Sequence, residues 1–304
     1  MSVATPAHPA AAQARTLADR SVWSLLHRTG VTRHFGKAWL AAGYLFLYIP
    51  IVALVVYSFN ASPLPVVWAG ASLRWYREIA HDRDLMASVW LSLRIAFWAA
   101  SASVVLGALA GFALVKYKRF LGRTLFTGMV NAPLVMPEVI IGLSLLLLLV
   151  ATQQWLGVPE RGMFTIWLGH VMLGMSYATV VIQARLQDLN PSLEEAAADL
   201  GARPIQVFVL VTLPLILNAL VSAFLLTFTL SLDDVVLAAF LSGPGATTLP
   251  LVIFSRAHLG MRPDINAVAS VIIGVVSVVV VGGSWFIVRA ERRRAAEIAA
   301  AQRA

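Results

Sequence analysis

After a mixed stretch of 37 residues containing Ala, Pro and Arg, the chain turns apolar in six long runs at residues 38–59, 91–115, 125–150, 164–182, 215–236 and 267–288. Each is close to the roughly 20 residues with which a helix crosses a bilayer core. The first run exceeds the roughly 7 to 15 residues of a cleavable signal, and nothing before it is apolar enough to be one. It therefore stays in place as the first of six expected transmembrane helices. The polar segment at 60–86 interleaves Trp68, Leu73, Trp75, Tyr76 and Ile79 with Arg74, Arg77 and Glu78. That mix predicts a short helix at the membrane surface with its indoles at headgroup depth.

The charges orient this pattern. Arg15, Arg20, Arg28, Arg33 and Lys37 precede the first run; Lys116, Lys118, Arg119 and Arg123 fill the connection from the second to the third; and Arg289, Arg292, Arg293 and Arg294 follow the last. With six crossings all three clusters lie on one side, which the positive-inside rule makes cytoplasmic, whereas five or seven would split them. The expected organisation is a cytoplasmic tail at 1–37, one transmembrane domain at 38–289 and a second cytoplasmic tail at 290–304. Composition agrees, with 59% apolar residues and 12% charged ones, where soluble chains are about a quarter charged. Topology accounts for the net charge of +8, because nucleic-acid binding would need a continuous basic face with aromatics between the charges. With no cysteine and no metal-ligand spacing among the six histidines, neither disulfides nor a metal centre are expected.

The connection between the fourth and fifth runs differs from the other inner segments. From Asn190 it reads NPSLEEAAADLGARPIQVFVLVTLP. Ser192 followed three residues later by Glu195 is a capping-box pattern that predicts a helix start. Gly201 fits the left-handed position that ends such a helix, and Pro204 suits the first turn of the next. Ala196, Ala197 and Ala198 keep the first helix slim. Two short helices meeting at a glycine elbow form a knob with little apolar surface of its own.

At these residues the chain resembles the inner-membrane permease subunits of ABC importers. Their EAA motif (Glu-Ala-Ala, three residues, Gly, nine residues, then Ile-x-Leu-Pro) falls on Glu195, Ala196, Ala197, Gly201, Val211, Leu213 and Pro214, with Val211 in place of Ile as the single departure. The segments WAGASLRWY from Trp68, APLVMPEVIIGLSLLLLLV from Ala132 and FTLSLDDVVLAAFLSGPGATTLP from Phe228 are similar to the polyamine-import branch, closest to the second permease subunit of putrescine importers. The likeness runs from the first span onward and fails in the N-terminal tail. It implies an all-α type I ABC importer permease with a cytoplasmic coupling helix. It further implies a second permease subunit as heterodimer partner, a dimer of ABC ATPases beneath and a periplasmic polyamine-binding protein above. Spermidine or another organic cation are the alternative cargoes. The chain lacks the Gly-x-x-x-x-Gly-Lys-Ser/Thr phosphate loop, so ATP and its magnesium are expected on the ATPase partner, with no cofactor here and no catalytic role. An ion-coupled secondary transporter is the alternative class; it predicts interrupted helices in two related halves, which the sequence does not display.

Acidic side chains inside the runs need an account, because a carboxylate at mid-membrane costs about 2.5 to 3.5 kcal/mol and should not face lipid. Glu138 reads as the middle of the third span, beside Pro137 and one turn after Pro133, a kinked polar spot lining a path or pairing with Arg94 or the second permease. Asp233 and Asp234 follow Pro214 by about 19 and 20 residues, roughly 30 Å along a helix, and so approach the outer end, either guarding an entrance or simply solvated. For a cargo bearing ammonium groups these three carboxylates are the candidate path residues. His170 reads as a packing residue, since no acid accompanies it at helical spacing. Gly243, Pro244 and Gly245 mark an outer turn.

Overall fold

The computed structural model describes residues 31–64, 67–117, 119–258 and 263–301. Most of the expected N-terminal tail, residues 1–30, and the last residues of the C-terminal one lie outside them. The described residues divide into two compact units, one from residues up to 73 together with those from 266 onward and the other within 74–265.

In the first unit, α1 (Val31–Tyr57) begins seven residues earlier than the sequence pattern suggests and carries Pro50 within it. The segment that follows is organised by the fully buried Asn60. Its amide donates to the Val67 carbonyl (2.7 Å) and its Oδ1 accepts from Ala69 N (2.9 Å) and Ser62 N (3.2 Å), so one side chain replaces the ladder bonds a loop lacks. Trp68 meets Tyr57 edge-on at 6.2 Å. The final helix of the chain, Pro263–Ala301, contains the sixth expected span, although its described apolar stretch, Pro263–Val278, is short.

The second unit carries the remaining elements. The expected short helix is present as α2 (Arg74–His81), with Trp75 packed against the protein at 3% exposure. Next come α3 (Arg83–Lys116), α4 (Arg123–Val135), α5 (Glu138–Leu156), α6 (Met163–Gln187), α7 (Pro191–Asp199) and α8 (Pro204–Val207). A π-helical turn (Phe208–Thr212) leads into α9 (Leu213–Asp233), followed by α10 (Val236–Leu241) and α11 (Leu249–His258). Among the described residues five helices are long and apolar enough to cross a membrane: Phe35–Tyr57, Arg83–Lys116, Glu138–Leu156, Met163–Gln187 and Pro204–Asp233.

Two expected spans are interrupted. The run at 125–150 breaks at Met136 because Pro137 pushes the residue before it into extended backbone (φ −79°, ψ 138°), ending α4 and letting α5 start afresh. The run at 215–236 breaks after Asp233, and Asp234 in extended conformation leads into α10.

The unit is held by a seam of small residues between α3 and α6. Ser103, Gly107 and Gly111 recur every four residues on α3, so they share one face. A Cβ on Gly107 would sit 2.7 Å from the Ala178 Cβ, and one on Gly174 2.4 Å from the Ser103 Oγ, so the two backbones touch where only hydrogen fits. Ser103 Oγ donates across the seam to the Val171 carbonyl at 3.3 Å. Two apolar clusters adjoin the seam, one around Ile95, Ile166 and Leu237 and the other around Ile182, Ile216 and Ala223. Outside them Trp98, Leu109, Leu147, Leu148 and Leu225 are exposed, the reverse of a soluble surface and the pattern a lipid solvent allows.

Candidate functional sites at the two ends of one helix

The knob forms as expected, with its start moved. Pro191 takes the first helical position of α7, and the cap is Asn190, whose Oδ1 accepts from Ser192 N at 3.1 Å. The expected cap by Ser192 and Glu195 is thus corrected: Asn190, held extended before Pro191, already fills the capping position, and Ser192 and Glu195 are exposed. The end is as the glycine suggests. Gly201 has φ +87°, Ala202 N donates to the Ala197 carbonyl (3.1 Å) and Gly201 N to that of Ala198 (2.9 Å), the paired bonds of a Schellman stop. Pro204 opens α8.

The end of the motif has a physical reason as well. Pro214, second residue of α9, has no N–H for the Leu210 carbonyl, and its ring would press on that carbonyl in a regular helix. The chain instead widens into the π turn, with Leu213 N donating to the Phe208 carbonyl. Val211 lies within this turn and Leu213 at its exit, so the motif's last three positions mark a change of helical pitch.

The two faces of α7 differ. Glu194 and Ala197, one turn apart, are partly shielded, while Glu195, Ala196 and Ala198 are exposed. Glu194 pairs with Lys116 at the end of α3 and accepts from Thr212 Oγ1 at 2.7 Å. Sequence reading passed over it in favour of Glu195. Leu193, Leu200, Ile205 and Leu210 add exposed apolar side chains to the knob and its neighbourhood.

At the far end of α9, roughly 30 Å away, the structure brings the three candidate acids together with His170. Glu138 is within electrostatic reach of Asp233, Asp234 and His170. It stands in the first turn of α5, because the chain breaks at Pro137; there the free amides of the helix start favour a carboxylate. Asp234 is not a solvated end residue. Its side chain is 6% exposed, caps α10 by accepting from Leu237 N (3.2 Å) and Ala238 N (2.8 Å), and meets His170 Nε2 at 3.1 Å. His170 Nδ1 lies 2.6 Å from Ser231 Oγ. His170 is thus a satisfied buried residue, as expected, but its acid arrives from 64 positions along the chain rather than from its own helix. Asp233 and Glu138 are exposed. The turn expected at 243–245 forms: Gly245 has φ +73°, and a Cβ on Gly243 would fall 2.0 Å from the Arg161 carbonyl oxygen.

Within residues 74–265, a capped knob at one end of a long apolar helix and a polar cluster at the other fit the membrane subunit of a transporter. The chain belongs to the family of binding-protein-dependent transport system inner membrane components, whose model matches residues 103–295. It is 52% identical over 265 residues to the putrescine transport system permease protein PotI of Escherichia coli K12, covering 87% of this chain and 94% of that one. It is 38% identical over 237 residues to the spermidine/putrescine transport system permease protein PotC of Haemophilus influenzae, covering 78% and 90%. Among solved structures, the fold matches a bacterial ABC transporter that imports alginate (TM-score 0.67, 16% identity, 88% of this chain and 98% of that one). It also matches the MetNI methionine ABC transporter (TM-score 0.53, 18% identity, 68% and 95%). These two establish the fold, that of type I ABC importer permeases.

Proposed function

We propose that the chain is one of two permease subunits forming a path for polyamine uptake, putrescine foremost, powered by an ATPase dimer that binds its knob and supplied by a periplasmic binding protein. Both termini are cytoplasmic in this reading, on the strength of the three basic clusters. ATP and magnesium belong to the partner ATPase, and this chain performs no chemistry of its own.

The carrying observation is the 52% identity to a putrescine permease across nearly the whole chain. The placement of the acids supports it. A diamine carries two ammonium groups, and Glu138 and Asp233 are exposed carboxylates that can offer transient contacts, whereas Asp234 is committed to capping α10 and to His170. Weak contacts suit a path, which must release what it takes up.

The test is uptake of labelled putrescine by the complex reconstituted with its ATPase, second permease and binding protein. ATP-dependent accumulation, displaced by unlabelled putrescine more effectively than by spermidine, supports the reading. Displacement by spermidine first would reassign the cargo. Transport by the purified chain alone, without ATP, would replace the ATP-driven reading with that of an ion-coupled carrier.

A further inference from the structure

We propose that Glu194 is the positioning residue that fastens the coupling helix to the bundle, so that movement of α7 reaches α3 and α9 together; this rests on the ATP-driven import reading. The helix α7 has nine residues and none is buried. Apolar packing therefore cannot carry a load from it, and the attachment must run through polar contacts or through the chain at its ends.

Glu194 supplies that attachment with both carboxylate oxygens. Oε2 pairs with Lys116 Nζ on the last turn of α3, and Oε1 accepts from Thr212 Oγ1, itself buried, on the last residue of the π turn that opens α9. The two receiving points are already braced against each other. The ring of Phe112, one turn before Lys116, meets Phe208, the first residue of the π turn, edge-on at 5.3 Å, and Lys116 Nζ lies 6.0 Å above the Phe112 ring. The carboxylate thus binds a junction of two spans rather than one loose side chain.

The arrangement also divides the labour of two adjacent glutamates. Glu195 is on the exposed face that a partner can reach, although its charge also reaches Lys116, while Glu194 is turned toward its own bundle and makes the direct contacts. A push received on one face of α7 is handed on through the other. The far end of α9, where the push arrives, holds Asp233 and the cluster around His170.

The experiment measures ATP hydrolysis and cargo uptake in the same proteoliposomes, using the complete complex. Glu194→Ala, Lys116→Met and Thr212→Val are each compared with the unaltered complex, and assembly is checked by co-purification of the ATPase. The expected result is retained assembly and hydrolysis with uptake per ATP reduced at least about fivefold for Glu194→Ala, the lower end of coupling between sites. Glu194→Gln, which keeps the Thr212 bond and loses the ion pair, should fall between. The exchange Glu194→Lys with Lys116→Glu should regain much of what either single change loses, which a role in folding alone does not require. An unchanged ratio of uptake to hydrolysis in the assembled fraction of all three single variants overturns the proposal, including where yields fall. Absence of ATP-dependent uptake by the unaltered complex would instead overturn the import reading.

Discussion

The elbow at Gly201 allows backbone strain and steric crowding to be told apart. Its φ of +87° is a left-handed conformation, and a Cβ built there has nothing within 4 Å. Inside this chain, the cost of a side chain is therefore entirely conformational, about 1 to 2 kcal/mol for an ordinary residue and more for a β-branched one. At about 1.4 kcal/mol per factor of ten, Gly201→Ala should depopulate the Schellman stop by about 5- to 30-fold relative to glycine, and Gly201→Val by more. Asparagine tolerates this region better, so Gly201→Asn should be the mildest of the three despite its size. ATP-driven uptake in proteoliposomes, normalised to co-purified ATPase, should rank glycine, asparagine, alanine, valine. If alanine outperforms asparagine, size in a partner's cleft rather than strain governs the position. Normal uptake by the valine variant would refute the elbow's role in coupling.

Three further outcomes follow from the packing and the polar contacts. Gly107→Ala places a methyl 2.7 Å from the Ala178 Cβ and 2.9 Å from Thr179 N, so α3 and α6 must part; the expected loss is about 1 to 3 kcal/mol, read as a lower melting temperature in detergent. His170→Ala removes a partner from the buried Asp234 and from Ser231 and should cost about 1 to 3 kcal/mol, with His170→Gln, which can still donate to a carboxylate, milder in the same assay. Asp82, the cap of α3, has its pKa lowered from an ordinary 3.8 chiefly by the Leu85 amide and then by Arg256, at 2.6 Å, against an opposing effect of burial. A depressed carboxylate contributes stability that is complete above its unfolded value and fades as pH falls through the folded one. Asp82→Asn should therefore lower the melting temperature at neutral pH and narrow its gap to the unaltered chain below about pH 4.

The long apolar runs gave away the membrane body, and Gly201 with Pro204 gave away the elbow, because both signals are local: hydropathy over a window and a backbone angle that favours glycine. Where the reading failed, a second local signal outranked the first. Asn190 before Pro191 caps α7 more directly than Ser192, whereas the break at Pro137 falls where the two prolines already predict a kink. Glu194, the His170–Asp234 pair and the gathering of Glu138 with Asp233 depend on which helices become neighbours. Those pairings are 61 to 78 positions apart for Lys116–Glu194 and for His170 with Ser231 and Asp234, and no single-window pattern encodes them. The seam lies between: its four-residue spacing of Ser103, Gly107 and Gly111 is visible, but its partner face is not.

The seam also limits how such a molecule can change shape. Where hydrogen is all that separates two backbones, neither rod can slide or swivel against the other without collision, so α3 and α6 travel as one blade. Shape change in this unit is left to the hinges that flank it, the unwound points at Met136 and at Asp234 and the widened turn below α9. Two of these three adjoin the carboxylates and the third adjoins the knob, which puts compliance at the two ends of α9 and stiffness in between.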